Sequence, residues 1–257
     1  MKVKEPRSRV MKRFPSSLLG KLESIYSRYW WNRDEEALFK KAMSDPFQNI
    51  IFTLLSQNTS AENTRRAYLE LIRKFEVTPQ CLLDVDETEL SEAIRPGGLQ
   101  KVKARRIKEI ARHVLSEYNG DLSWVYSEPK EVVREKVMKL PGVGDKTADV
   151  LISSIHGQRE ALVVDTHMRR IAIRLGLVEE NASYQEVQEA LTRFFPWENI
   201  PKQNEERIVG LFWMLAKHTC TARRPKCESC MLAGICDKRV RATSMGRRSI
   251  SWTGRKK

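Results

Sequence analysis

The most informative stretch of the chain reads Leu140-Pro141-Gly142-Val143-Gly144-Asp145-Lys146-Thr147-Ala148. Apolar residues at helical spacing precede it, and we predict a first helix that ends at its leading leucine, because the proline that follows breaks helices. The two glycines permit positive φ angles and close approach of the backbone. A second helix is predicted to begin near Asp145, which makes the stretch the centre of a helix–hairpin–helix over about residues 131–157.

The hairpin has two interpretations on its own. Its backbone N–H groups and the positive end of the second helix form an anion site that makes no base contacts, as DNA phosphates require. The residues that would contact DNA are then Gly142, Val143, Gly144 and Thr147. The alternative is a packing corner between two helices, and the hairpin sequence leaves both open.

Two residues near the hairpin have reactive side chains. Lys146 opens the second helix, where positive partial charges favour a nucleophilic amine. Asp165 follows an apolar run and stands where a helix N-cap is expected. A lysine that forms Schiff bases and a carboxylate that stabilises a cation would together cleave an N-glycosidic bond. A surface lysine and a simple cap are the alternative that the two residues alone leave open.

Four of the five cysteines are clustered near the C-terminal end, in the spacing C-x6-C-x2-C-x5-C: Cys220, Cys227, Cys230 and Cys236. Four thiolates suit either tetrahedral zinc or a [4Fe–4S] cluster. Zinc sites usually pair two short knuckles, whereas only one C-x2-C is present here, so the spacing favours the cluster. The basic residues of the first gap, Arg223, Arg224 and Lys226, are predicted to contact phosphates or else to form a solvated loop.

The composition indicates a basic protein with a packed core. Lys and Arg number 46 against 33 Asp and Glu, which gives a net charge of +13 and favours nucleic acid as the partner, although a surface tuned for solubility is an alternative. No apolar run approaches the ~20 residues of a membrane span, and no secretory signal is visible. We expect an intracellular monomer without membrane association, in the cytoplasm or nucleoid if the source is prokaryotic.

The hydrophobic periodicity is helical almost throughout. Capping-box patterns begin helices at Thr59-x-x-Glu62 and Ser183-x-x-Glu186, and Asn119-Gly120 ends another. The best strand candidate, residues 161–164, has no pairing partner in the sequence. An all-α fold is therefore predicted.

Taken together, the chain resembles the endonuclease III family of helix–hairpin–helix DNA glycosylases. The similarity extends over roughly residues 35–240, and four blocks carry it in the family's order. They are Asp45 through Thr59, Gly98 through Ala104, Leu140 through Ala148 with Val164-Asp165-Thr166-His167, and the four-cysteine loop. The joint presence of hairpin, lysine, aspartate and cysteine loop makes the resemblance specific.

The resemblance implies a two-lobed all-α fold with double-stranded DNA, carrying damaged bases or abasic sites, in the groove between the lobes. A six-helix barrel lobe would span residues 38–158 and hold the hairpin. The other lobe would combine residues 1–37 and 159–240, with a [4Fe–4S] loop at 220–236. Residues 241–257 would form a basic C-terminal tail.

The resemblance also implies the roles of individual residues. Lys146 matches the Schiff-base lysine and Asp165 the catalytic aspartate. Gln57 matches the residue that fills the gap left by an extruded nucleotide. Leu99 matches a wedge residue on the opposite strand, and His167 matches a residue that contacts DNA. The four clustered cysteines match the ligands of the [4Fe–4S] cluster. The implied activity is that of a bifunctional DNA glycosylase and abasic-site lyase of base excision repair, acting on oxidised pyrimidines.

Two alternatives keep the fold and change the function. One is a glycosylase specific for mispaired thymine or uracil, or for adenine opposite an oxidised guanine. The other is a non-catalytic module that binds damaged DNA, which has no use for Lys146 and Asp165. The chain also departs from many relatives at Asp145, where a basic residue is common, and at Asp149, where Asn is frequent.

Overall fold

The structure, a computed structural model, describes residues 12–30 and 33–237, without the side chains of residues 33–35. The described residues contain helices and no strand, which confirms the predicted all-α fold; residues 161–165 are a connection without regular secondary structure. None of the described helices is both long and apolar enough to span a membrane. The predicted tail at 241–257 lies outside the described residues. The helices are α1 Leu19–Tyr26, α2 Arg33–Ser44, α3 Pro46–Leu55, α4 Ala61–Lys74, α5 Pro79–Asp84, α6 Glu87–Ala93, α7 Gln100–Tyr118, α8 Lys130–Met138, α9 Asp145–His156, α10 Thr166–Leu175, α11 Tyr184–Phe194 and α12 Glu205–His218.

Local signals fix most helix ends. The predicted capping box at Ser183 is present, with both reciprocal hydrogen bonds. The α7 helix ends at Tyr118, and its C-cap residue Asn119 has a φ of 53°, in the left-handed region that the predicted stop signal requires. The predicted start at Thr59 is wrong by one residue, because Ser60 is the cap and its hydroxyl accepts from the N–H of Asn63 over 3.1 Å. The first hairpin helix ends at Met138 rather than at the leucine two residues later.

The described residues divide into two compact units. Residues 30 and 33–163 form the central unit, and residues 12–29 and 164–237 form the terminal unit. In the central unit, α3 is the innermost helix. Asp45 caps it and accepts from the N–H of Gln48 over 2.8 Å, and Pro46 occupies the first turn, where its missing N–H leaves no bond unmade. Nearly every residue of α3 is buried, so the helix is surrounded by α2, α4, α7 and α9. Burial on all sides makes the end of α3 a rigid base for Gln57.

The terminal unit brings residues from both ends of the described chain together. Phe14 contacts three aromatic rings from later in the chain, at centroid distances of 5.9 to 6.4 Å: Phe194, Phe195 and Phe212. The N–H of Phe14 also donates to the carbonyl of Phe194 over 2.7 Å. In the same unit, α12 packs on α1 and α10. This aromatic core positions α10 and α12, the two helices that hold Asp165.

Candidate active site

The hairpin between α8 and α9 is built around one glycine. Gly142 has a φ of +73°, and a Cβ atom there would lie 2.9 Å from the side chain of Arg106. The positive φ favours glycine, and any other residue would also require the flexible end of the Arg106 side chain to move. The next residue, Val143, is buried and donates its N–H to the carbonyl of Leu140 over 3.1 Å, which anchors the turn in the central unit.

The start of α9 is open to solvent. Its N-cap residue, Gly144, provides no side-chain hydrogen bond, so the first N–H groups of the helix are left for an external acceptor. Gly142, Gly144 and Lys146 are exposed. Val143 and Thr147 are buried, so the side chains of these two predicted DNA contacts are withdrawn from solvent.

An ion-pair cluster holds the two hairpin helices together. Arg134 of α8 contacts the carboxylates of both Asp145 and Asp149 in α9. Asp149 is 1% exposed, and the hydrogen-bonded guanidinium gives its buried charge a partner. The two aspartates that depart from the family pattern are therefore structural parts of this hairpin.

Gln57 and Leu99 lie on two turns of the central unit. Gln57 follows the end of α3 and is half-buried. Leu99 is 55% exposed and has a φ of 52°, which is a strained conformation for a leucine. Its side chain is one of the few large apolar groups that the described residues present to solvent.

A buried lysine that the sequence analysis did not single out joins these two turns. The ammonium of Lys103 donates to the carbonyl of Leu55 over 2.7 Å and to the carbonyl of Gly97 over 2.9 Å. Lys103 is 3% exposed, and burial lowers the pKa of its ammonium. The signal was its position on the apolar face of α7, in step with Ile107 and Ile110.

In the terminal unit, Asp165 is the N-cap of α10, as predicted. Its Oδ1 accepts from the N–H groups of His167 and Met168 over 2.8 and 2.9 Å. Its Oδ2 accepts from the indole N–H of Trp213 in α12 over 2.7 Å. No sequence pattern indicated Trp213, because the contact joins residues that are 48 positions apart.

His167 and the cysteine loop are connected through one arginine. A guanidinium nitrogen of Arg170 lies 3.1 Å from Nδ1 of His167, and Nε of Arg170 donates to the carbonyl of Cys220 over 2.9 Å. The ring of His167 in turn packs edge-on against Trp213, with centroids 5.3 Å apart. The terminal unit thus brings Asp165, His167 and the first cysteine of the loop into one connected set.

The four clustered cysteines line one pocket and are each half-buried; Arg174, Thr219, Pro225, Lys226 and Ala233 complete it. Arg174 donates to the carbonyls of Cys220, Thr221 and Ala222 over 3.1, 2.7 and 2.9 Å, and so fixes the start of the loop. Burial raises the pKa of the Cys230 thiol, and the neighbouring cysteines raise it further. Among the described residues, no three ligating side chains are placed to hold a single metal ion.

The three basic residues of the first cysteine gap are exposed: Arg223, Arg224 and Lys226. Their backbone is anchored, because the N–H of Lys226 donates to the carbonyl of Thr219 over 2.9 Å. The loop therefore presents three exposed cations, which suits it to contact with phosphates.

Comparison with known proteins places this arrangement in a family. The model of the HhH-GPD superfamily of base excision DNA repair proteins matches residues 51–196, and that of the iron–sulfur binding domain of endonuclease III matches residues 220–236. Endonuclease III of Thermotoga maritima is 34% identical over 194 residues, which cover 76% of this chain and 84% of the relative. The thymine-DNA glycosylase of Aeropyrum pernix is 29% identical, over 84% of this chain and 95% of the relative.

A solved non-covalent complex of endonuclease III with DNA superposes with a TM-score of 0.66 at 28% identity, covering 89% of this chain and 96% of the solved one. The resemblance stated from the sequence is therefore confirmed, and an iron–sulfur cluster and DNA binding come with it. The chain belongs to the endonuclease III family within the HhH-GPD superfamily, and it is a DNA glycosylase of base excision repair.

Proposed function

We propose that this protein is a bifunctional DNA N-glycosylase and abasic-site lyase that removes oxidised pyrimidines from double-stranded DNA. One observation carries the proposal. Lys146 is exposed on the first turn of α9, and among the described residues no hydrogen bond or ion pair engages its side chain. A lysine that is not held by a partner, beside open backbone donors for a phosphate, is suited to attack a sugar carbon.

The reaction starts with extrusion of the damaged nucleotide, because C1′ is unreachable within a stacked duplex. The amine of Lys146 forms a bond to C1′, and the bond from C1′ to the base breaks, with its electron pair and a proton leaving on the base. Asp165 stabilises the positive charge that develops on the sugar. The nitrogen lone pair then opens the sugar ring: the C1′–O4′ bond breaks, O4′ takes up a proton, and C1′ and the lysine nitrogen form an iminium. The iminium acidifies the C2′ hydrogen, and loss of that proton expels the 3′ phosphate by β-elimination.

The remaining predicted residues would hold the distorted duplex. Leu99 is exposed and apolar, as a wedge between base pairs must be, and Gln57 on the neighbouring turn would fill the space of the extruded nucleotide. Phosphates would bind the backbone of the hairpin at Gly142 and Gly144. We propose that the protein acts as an intracellular monomer.

We further propose that the cluster is [4Fe–4S], held by the four clustered cysteines. Four half-buried thiols that line one pocket match the thiolate ligands of a cuboidal cluster. When bound, the cluster supplies four metal–thiolate bonds that cross-link the loop. The chain's own part is to hold the loop in place, which Arg174 does through three backbone carbonyls.

Mispaired thymine is a second candidate substrate, because the similar protein of Aeropyrum pernix is named a thymine-DNA glycosylase. The two are separated by a panel of duplexes that carry an oxidised pyrimidine, thymine or uracil opposite guanine, adenine opposite oxidised guanine, or an abasic site. Base release and strand cleavage are scored separately. We expect both on the oxidised pyrimidine, and cleavage of the abasic site. Release of mispaired thymine without strand cleavage would contradict the proposal.

A further inference from the structure

Both oxygens of the Asp165 carboxylate are engaged, although a helix cap needs only one. Oδ1 accepts the two N–H groups at the start of α10. The cap gives Oδ2 no partner, so on its own it anchors only one side of the carboxylate. The indole N–H of Trp213 reaches Oδ2 over 2.7 Å, the short distance of a charge-assisted hydrogen bond. The indole therefore fixes the second oxygen.

Two side chains pack against the ring of Trp213. Its ring meets the edge of His167, with centroids 5.3 Å apart and planes at 68°. The ammonium of Lys217, one turn later in α12, lies 4.9 Å from the ring centroid. A cation over an indole draws electron density from the ring and makes its N–H a stronger donor. The ring therefore has a defined position as well as a strengthened bond to Asp165.

We propose that Trp213 is a positioning residue for glycosidic bond cleavage: it holds the Asp165 carboxylate in the orientation that stabilises the positive sugar. This inference rests on the proposed role of Asp165. The indole does not touch the reacting atoms, and its effect is exerted through Oδ2. The step that generates positive charge on the sugar is base loss, so base excision depends on Trp213 more strongly than cleavage of an abasic site that has already lost its base.

The test uses Trp213→Phe, which keeps an aromatic ring and removes the N–H. Trp197→Phe is the matched control, because the Trp197 indole donates over the same 2.7 Å but to the backbone carbonyl of Thr192. Single-turnover base excision should fall roughly 10- to 100-fold in Trp213→Phe, the factor that corresponds to a hydrogen bond to a charged group. The ratio of base excision to cleavage of a preformed abasic site should fall as well. Trp197→Phe should keep both the excision rate and this ratio. The affinity for the duplex should stay within about twofold of wild type in each variant, as expected when binding of the DNA before reaction is unchanged.

A spectroscopic measurement tests the hydrogen bond separately from the chemistry. In the ¹H–¹⁵N spectrum the indole signal that disappears in Trp213→Phe should move in Asp165→Asn, whereas the Trp197 signal should not. An unchanged excision rate in Trp213→Phe, an unchanged ratio with a lowered Tm, or a Trp213 signal insensitive to Asp165→Asn would each overturn the inference. Full base excision by Asp165→Asn would instead overturn the proposed role of Asp165, whatever the spectrum shows.

Discussion

The ammonium of Lys103 donates a hydrogen bond to the carbonyl of Leu55, 2.7 Å away in the central unit. A second bond from the same ammonium reaches Gly97 over 2.9 Å. Leu55 lies two residues before Gln57, and Gly97 lies two residues before Leu99. One buried side chain therefore sets the separation of the two turns that carry the proposed intercalating residues.

Replacing Lys103 with Met keeps the length of the side chain and removes both bonds. Two buried carbonyls then lose their donor, and we expect the free energy of unfolding to fall by roughly 2–4 kcal/mol. Urea denaturation measures the change. The control is Lys101→Met on the exposed side of the same helix, for which we expect less than about 0.5 kcal/mol. Equal stabilities of the two variants would show that Lys103 does not hold the turns.

The burial of Lys103 also predicts how the stability of the protein depends on pH. Burial lowers the pKa of Lys103 below the ordinary value of 10.5, so the folded state releases its proton before the unfolded state does. Above the folded pKa the unfolded state binds more protons, and the stability of wild type relative to Lys103→Met should rise as pH increases toward 10.5. At pH values below the folded-state pKa, the difference in stability between wild type and Lys103→Met should not change with pH. The neutral amine retains two N–H donors for its two carbonyls. A relative stability that falls with rising pH would contradict the assignment.

Removal of Arg134 should destabilise the hairpin. In Arg134→Met the buried carboxylate of Asp149 loses its guanidinium, and loss of one member of a buried ion pair costs about 3–5 kcal/mol. The double variant with Asp149→Asn should recover much of that loss, because the buried charge is then absent. Lys139→Met, which breaks the exposed pair with Glu135, serves as the control and should change little. If the double variant is no more stable than the single one, the ion pair is not the source of the loss.

The cluster proposal predicts a brown protein with about four irons per chain. Cys227→Ala should lose the colour and lower the thermal stability of the terminal unit, because ligand loss removes metal-linked folding energy. Cys81→Ala, in the central unit, should keep iron and colour. Iron, sulfide and zinc analysis with visible absorbance provides the measurement. A colourless protein with one zinc per chain would refute the cluster.

Local sequence signals predicted the features that depend on residues close together in the chain, such as helix starts and helix caps. The start of α9 at Asp145 and the cap at Asp165 follow from a glycine pair and a capping residue, both visible within a few positions. The partners of those residues were not predictable in the same way. Trp213 and Lys103 each reach a contact 48 positions away, so only the packed helices bring the atoms together.

Asp145 and Asp149, the two hairpin residues that differ from the family pattern, show the same limit of prediction from sequence. From the sequence, Asp145 and Asp149 stood out only as differences from a family pattern. In the structure both carboxylates contact Arg134, which lies in the preceding helix and belongs to no motif. Contacts of this kind are predictable only when it is known which helix faces pack together.

The central claim is that Lys146 forms a covalent imine with the damaged strand, and borohydride trapping tests it most directly. Wild-type protein and Lys139→Gln, an exposed lysine that precedes the hairpin, should both be trapped on a duplex with an oxidised pyrimidine. Lys146→Gln should bind that duplex and yield no covalent adduct, and peptide mapping of the wild-type adduct should place the sugar on Lys146. Trapping of Lys146→Gln at the wild-type level would contradict the account.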